Sequence, residues 1–179
     1  KVGDIYIGKV KNISRNIDAA FVDLGGKYLT FLPLADAKTA LVVNRKSDGT
    51  IKADDEILVQ VTKEPMKTKL AGVTTKISLS GRYVVVGIQN PINADTKGME
   101  EIDTGHVQVS SKLKKKQQNR FRNLEPLQKL SRQYQVIVRT NAESLTEESP
   151  LINEAKELSV MLSHILTIAD KRTCYSCLY

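Results

Sequence analysis

The sequence predicts an α+β protein, in which a five-stranded Greek-key β-barrel is followed by a small α/β domain with a C-terminal helix. Five short segments rich in β-branched and aromatic residues fall within residues 1–79, separated by glycine and polar turns. Residues 80–179 instead mix continuous apolar runs with helical periodicity. The chain is 41% hydrophobic and 26% charged, which is typical of a globular protein.

The first half carries the signals of short, regularly spaced strands. Gly25-Gly26 marks the turn after the second predicted strand, and Pro33 closes the paired part of the third. Such strands fit a barrel of the oligonucleotide-binding (OB) class, although hydrophobic patterning alone also permits an SH3-like barrel. The predicted strands cover residues 5–10, 19–24, 28–34, 57–62 and 73–79.

The second half combines buried strands with helices. Continuous apolar runs predict strands at 83–88 and 135–138, with a short strand at 106–109. Residues 112–133 are expected to be helical in part. A final helix should begin after Ser149 as N-cap, with Pro150 in its first position. Its apolar face is formed by Leu151, Ala155, Leu158, Leu162, Ile165 and Ala169. We therefore predict two domains, residues 1–79 and 80–179.

The net charge of +7 is concentrated in one stretch. Residues 112–139 hold nine basic residues and one acidic residue, a local excess of nine minus one, or +8. Clustered positive charge favours a polyanionic partner through its local field and through counterion release. For the lysine-rich run 112–116, the alternative is a flexible loop that is simply solvated.

Several classes of protein do not fit the sequence. No apolar run approaches the roughly 20 residues needed to cross a bilayer, so we expect no membrane span. With no signal peptide and two cysteines, Cys174 and Cys177, a cytoplasmic protein is expected. The two cysteines supply at most two of the four ligands of a structural zinc site, so no metal or other cofactor is expected. The absent Met and the abrupt last residues suggest a fragment of a longer protein.

Aromatic and basic residues of the predicted barrel are candidates for binding nucleic acid. Barrels of this class stack bases on aromatic side chains and hold the backbone with flanking cations. Phe21 and Phe31 lie in the second and third predicted strands, where alternation allows either an inward or an outward orientation. Lys9, Lys63 and Lys69 lie at strand ends or in loops and could contact phosphates.

Taken in order, the barrel segments resemble a known family. Segments 3–10, 19–25 and 31–34 together are similar to an S1-type RNA-binding domain. Segment 57–64 and the run T-T-K-I-S-L-S-G-R-Y-V-V at 74–85 narrow the resemblance to the ribonuclease E/G family. The run V-I-V-R-T at 136–140 also resembles this family, so that the similarity extends from residue 1 to about residue 140.

The resemblance implies roles for particular residues. Two aromatics and a lysine of the family hold single-stranded RNA, and they correspond to Phe21, Phe31 and Lys69. Lys67 and Leu70 replace the glycines that usually surround that lysine, which suggests a stiffer loop and an altered RNA contact. A pocket for the 5′-monophosphate would be formed by Gly81, Val85, Arg139 and Thr140. By itself, Arg139 could instead form a salt bridge at a strand end.

The resemblance also implies a function for the longer protein. It would be a bacterial, magnesium-dependent, homo-oligomeric endoribonuclease that cuts single-stranded RNA in RNA processing and decay. The catalytic carboxylates of the family lie downstream of this chain, so we predict RNA binding without catalytic residues here. One alternative is a non-enzymatic S1-type or translation-associated protein. Another is an adaptor whose basic segment binds an acidic protein.

Overall fold

The computed structural model describes residues 1–26, 28–89 and 106–179. These residues divide into two compact units, one formed by residues 1–77 with 164–179 and the other by residues 78–163. Each helix of the described part of the chain is too short or too polar to cross a membrane.

The first unit is built on a closed five-stranded barrel. Its strands are β1 (Ile5–Ser14), β2 (Ala19–Asp23), β3 (Leu29–Pro33), β4 (Glu56–Lys63) and β5 (Ala71–Thr74). They follow the order β1-β2-β3-β5-β4, and β1 closes the barrel because it pairs with both β2 and β4. All pairs are antiparallel except β3 with β5. The predicted OB-type barrel is thereby confirmed.

Alternation along the strands fills the barrel interior. Ala20 and Val22 of β2, Leu32 of β3, Val59 of β4 and Val73 of β5 are buried in one hydrophobic core. Because successive side chains of a strand point to opposite faces, the residues between them face outward. A short helix, α1 (Leu34–Ala37), follows β3 directly.

The segment predicted as one strand over 73–79 is two strands, so that prediction is wrong. β5 ends at Thr74 in the barrel, and β6 (Ser78–Ser80) belongs to a different sheet. The break is held by Asp36 of α1, whose carbonyl accepts a hydrogen bond from the Thr75 hydroxyl. Its carboxylate accepts from the Thr74 hydroxyl at 2.6 Å and lies 2.8 Å from the Lys76 ammonium. These contacts turn the chain away from the barrel.

The end of the chain lies along the first residues of β1, on the side where they do not pair with β2. The sequence did not indicate this contact. The Ile5 and Ile7 amides donate to the carbonyls of Tyr179 and Ser176 at 3.1 and 3.0 Å. The Tyr175 amide donates in return to the Ile7 carbonyl at 2.7 Å. Residues 173–179 therefore satisfy backbone groups that would otherwise form an unpaired strand edge.

The second unit contains a four-stranded sheet and two short helices. The sheet has the order β6-β7-β9-β8, where β7 is Val84–Ile88, β8 is Gln108–Val109 and β9 is Tyr134–Val138. The predicted helical content of 112–133 appears as α2 (Lys115–Arg122) and α3 (Glu125–Ser131).

The last helix, α4 (Ser149–Ala169), begins at Ser149 rather than after it. Its residues 149–163 belong to the second unit and its last residues to the first. The predicted apolar face is confirmed, since Leu151, Ala155, Leu162, Ile165 and Ala169 are all buried and Leu158 is half-buried.

Candidate nucleic-acid interface

Two phenylalanines form a pair on the outer face of the barrel. Phe21 of β2 and Phe31 of β3 lie directly opposite each other in the strand register. Their ring centroids are 6.4 Å apart and the rings meet edge to face at 82°. Their strand neighbours Ala20, Val22 and Leu32 are buried in the core, so both rings point outward. The orientation that alternation left open is thus outward for both, and both rings are half-buried.

The pair belongs to a row of residues that crosses the barrel surface. Phe21 pairs with Asn12 of β1, and Phe31 pairs with Gly72 of β5. Gly72 in turn pairs with Lys63 of β4, whose side chain is exposed. A Cβ atom at Gly72 would lie 3.4 Å from the Lys63 Cβ. Because glycine has no side chain, nothing projects between the Phe31 ring and the Lys63 ammonium at this position. Such a row offers an aromatic face for a base and an ammonium for a phosphate.

The lysines near this row differ in how free their charges are. Lys9 Nζ lies 3.2 Å from Asp54, and Lys11 Nζ lies 3.6 Å from Asp23. The hydrogen bond to the Asp54 carboxylate raises the pKa of Lys9 above its usual range. Lys63 and Lys69 are exposed and form no ion pair within the described residues. Their charges are therefore the more available to an anionic ligand.

A cavity of about 640 Å³ lies at the Asn12 end of the row. Its lining includes Arg15 and Lys52 and, within the part of the chain that the structure describes, no acidic side chain. Sequence reasoning missed Asn12 and this cavity, because the lining residues come from the end of β1, from the β1–β2 connection and from a polar loop without a strand pattern. Only the register of β1 with β2 brings Asn12 beside Phe21.

In the second unit, three of the four residues predicted to bind a terminal phosphate lie close together. The Arg139 guanidinium donates to the Gly81 carbonyl, and Thr140 follows it with its hydroxyl oxygen 3.0 Å from that of Ser110. Arg139 is exposed and forms no ion pair with any described residue.

Val85, the fourth residue, lies on the adjacent strand. It pairs with Ile137 of β9, two residues before Arg139. The side chains of Val85, Ile137 and Arg139 therefore share one face of the sheet. The fold therefore places the apolar side chain of Val85 and the Arg139 guanidinium on neighbouring strands, and the Thr140 hydroxyl directly follows Arg139 in the chain.

Glu154 of α4 binds the backbone amides beside this cluster, so that they are not available to a phosphate. Its carboxylate accepts hydrogen bonds from the backbone amides of Arg82, Tyr83 and Val84 at 2.7, 2.7 and 3.0 Å. A Cβ atom at Gly81 would lie 2.6 and 2.7 Å from its oxygens, so the glycine makes room for Glu154. These amides are not free, and a phosphate here would depend on Arg139 and Thr140. No local sequence signal marks Glu154, which lies some 70 residues away.

The basic residues of the second unit include some that form ion pairs within the described chain and some that do not. Arg120 Nε lies 2.8 Å from Glu148, and Lys129 Nζ lies 2.7 Å from Glu125. Others are exposed lysines with no ion pair among the described residues, namely Lys112, Lys114, Lys115 and Lys116. These four charges are free to attract a polyanion.

No group of three or more His, Cys, Asp or Glu side chains that could hold a metal ion occurs among the described residues. The side chains that the structure describes therefore do not fit a magnesium site, because magnesium in nucleases is held by carboxylates.

Comparison with known proteins defines the class of the barrel and then shows which proteins the chain is similar to. The family described as S1 RNA binding domain matches residues 1–76, which include all five barrel strands. The first unit thus contains an S1 RNA-binding domain, and RNA is the class of ligand that this chain binds.

The relatives extend the similarity beyond the barrel. Ribonuclease E of Escherichia coli (strain K12) is 37% identical over 98 residues, covering 51% of this chain and 9% of the relative. A ribonuclease E/G-like protein of Porphyra purpurea is 42% identical over 91 residues, covering 48% and 17%. Ribonuclease E of Buchnera aphidicola subsp. Acyrthosiphon pisum (strain APS) is 29% identical over 183 positions, covering 97% and 18%. The chain is similar to members of the ribonuclease E/G family and spans less than a fifth of the length of these relatives.

Proposed function

We propose that this chain binds single-stranded RNA on the outer face of its barrel, with bases stacked on Phe21 and Phe31. The observation that carries the proposal is the half-buried, outward-facing edge-to-face pair of phenylalanines, which lies in one register row with Lys63. Base stacking suits unpaired RNA, because the π-face of a base is accessible only when it is not stacked in a helix. Lys63 and Lys69 supply cations for the phosphates, and neither is neutralised by a described carboxylate.

Alanine substitution tests the stacking. Phe21→Ala and Phe31→Ala should each weaken binding of an unstructured RNA by about 1–3 kcal/mol, the usual worth of a base stacked on an aromatic ring. Fluorescence anisotropy measures the affinity, and circular dichroism shows that each variant remains folded. Phe121→Ala is the matched control for a phenylalanine that is wholly buried in the second unit. It should lower stability without a selective loss of RNA affinity, whereas wild-type affinity in both barrel variants would refute the stacking.

We further propose that the cluster of Gly81, Val85, Arg139 and Thr140 recognises the 5′-monophosphate of the RNA. Arg139 supports this proposal because it is exposed and has donors beyond its bond to the Gly81 carbonyl. A guanidinium beside a hydroxyl suits the planar, multi-oxygen face of a phosphate. Since the amides of residues 82–84 serve Glu154, Gly81 acts in this proposal through its carbonyl, which orients Arg139.

Two RNAs that differ only at the 5′ end test this pocket. RNA with a 5′-monophosphate should bind more tightly than RNA with a 5′-hydroxyl, by an amount on the order of 1.5–3 kcal/mol for a charge-assisted contact. Arg139→Lys should lose much of the preference, because an ammonium cannot make a two-pronged contact. Arg132→Lys, at another exposed arginine, is the matched control and should leave the preference intact. Equal affinity of the wild-type chain for both RNAs would contradict a working pocket.

The longer protein that contains this segment is, in our proposal, a magnesium-dependent endoribonuclease of RNA processing and decay. We also propose that it is cytoplasmic and homo-oligomeric. The names of the relatives support the enzyme class, and magnesium chemistry would need carboxylates outside the described residues. The alternative is a non-enzymatic, translation-associated S1-type protein. Magnesium-dependent cleavage of a labelled RNA by the full-length protein, and not by this segment, would separate the two.

A further inference from the structure

A second cavity of about 410 Å³ opens where the β2–β3 turn meets the β4–β5 loop. Four large apolar side chains gather around it. Tyr28 is 69% exposed and Met66 is 71% exposed, with Leu29 and Leu70 beside them. An exposed apolar cluster of this kind usually marks a binding surface.

The cavity is continuous with the surface that carries the phenylalanine pair. Leu29 lies two residues before Phe31 on β3, so their side chains share the outer face of the barrel. On its other side the cavity is lined by Ala71, the neighbour of Gly72, which pairs with Phe31. A strand of RNA that leaves the Phe31 ring can therefore reach Tyr28 along the same face.

The charge around the cavity is of one sign. Lys67 and Lys69 line it, and no acidic side chain does so among the described residues. The combination of an exposed aromatic ring, flexible apolar side chains and two ammonium groups fits a nucleotide, whose base stacks while its phosphate is held. The exposed aromatic ring beside the two cations favours RNA over an acidic protein, because a base can stack on the ring while the ammonium groups hold its phosphate.

Both loops are held in place before any ligand arrives. The Tyr28 amide donates to the Gly25 carbonyl at 3.0 Å, and its own carbonyl accepts from Leu24 at 2.9 Å. Met66 and Lys69 exchange two backbone hydrogen bonds of 2.9 and 3.1 Å, which closes the other loop into a tight turn. Preformed loops lower the ordering cost of binding.

We propose that this cavity is a second nucleotide subsite, in which Tyr28 stacks one base of the RNA strand and Lys67 and Lys69 hold its phosphates. The proposal rests on RNA binding at the phenylalanine pair and extends it by a neighbouring nucleotide. Lys67 and Leu70, which distinguish this loop from the glycine-rich loop of the family, become part of the subsite.

The test uses the whole chain and single-stranded uridine oligonucleotides in which one abasic nucleotide is moved along the strand. Tyr28→Ala should weaken binding of the intact RNA about five-fold or more, and Tyr28→Phe should not. The Tyr28→Ala variant should also become insensitive to an abasic nucleotide at one position that matters for the wild type. Phe31→Ala should remain sensitive at that position and lose sensitivity at another.

Tyr179→Ala is the matched control, because this tyrosine is also exposed, at 52%, and does not line the cavity. It should bind every RNA as the wild type does. If Tyr28→Ala binds normally while Phe31→Ala is weakened, the subsite is wrong and binding at the phenylalanine pair stands. If neither variant is weakened, both proposals fail. A weakened Tyr28→Ala variant that keeps its sensitivity at every abasic position would also overturn the subsite, since Tyr28 would then stack no base.

Discussion

Asp55 is a carboxylate that the barrel encloses almost completely, with 3% of its surface exposed. Burial alone would raise its pKa, but the Arg45 guanidinium donates to it at 2.6 and 2.7 Å, and the Lys52 amide donates at 2.7 Å. These donors lower the pKa of Asp55 below its ordinary value of 3.8. A lowered pKa in the folded state means that the stabilisation is complete above the ordinary pKa and is lost as the pH falls through the lowered one.

Asp55→Asn should therefore lower the free energy of unfolding at neutral pH by about 1–3 kcal/mol, because an amide leaves the Arg45 charge without its buried partner. It should also reduce the loss of stability on acidification below about pH 4. Urea unfolding at neutral and at acidic pH measures both effects. Asp48→Asn is the control, since Asp48 is exposed and its ion pairs with Arg45 and Lys52 lie in solvent, so little change is expected. Unchanged acid sensitivity in Asp55→Asn would contradict this account.

At the scale of elements, residues 173–179 form backbone hydrogen bonds and one isolated bridge with the first residues of β1. Deleting these residues should expose the amides of Ile5 and Ile7 to solvent, because both donate to carbonyls of this segment. Hydrogen exchange of these two amides should accelerate. The Val10 amide, which donates to the backbone carbonyl of Asp55 at 2.8 Å, should keep its protection in the same chain. Unchanged exchange at Ile5 and Ile7 would show that the segment does not occupy this edge in solution.

Elements defined by local pattern could be predicted from the sequence, and elements defined by distant contacts could not. The first four barrel strands and α4 follow from β-branched runs, turn residues and helical spacing, and they were predicted. The division of 73–79 depends on Asp36, nearly 40 residues earlier in the chain, and no local signal marks it. Phe21 and Phe31 were found as candidates, but their outward orientation required the strand register. Tertiary packing alone places Glu154 beside residues 82–84 and brings together the two loops that line the Tyr28 cavity.

At the scale of the whole molecule, two kinds of positive charge serve different purposes in our proposal. The net charge is +7, and the exposed lysines within 112–116 contribute a diffuse field with no described carboxylate to neutralise it. A diffuse field attracts every RNA, whereas Arg139 is placed at one strand end beside Thr140 and can respond to one chemical group. Salt separates the two contributions, because counterion release depends on the number of phosphates contacted and not on the 5′ end.

Replacing the four lysines Lys112, Lys114, Lys115 and Lys116 with glutamine should weaken binding to all single-stranded RNAs alike. The logarithmic dependence of affinity on salt should become shallower by about 0.7 for each lysine that contacts a phosphate. The preference for a 5′-monophosphate should survive in this variant and be lost in Arg139→Lys, whose salt dependence should in turn stay close to that of the wild type. Affinities for both RNAs at several salt concentrations measure the slope and the preference together. A variant of the lysine run that loses the 5′ preference but keeps its salt slope would reverse the assignment, because the run would then act as the specific pocket.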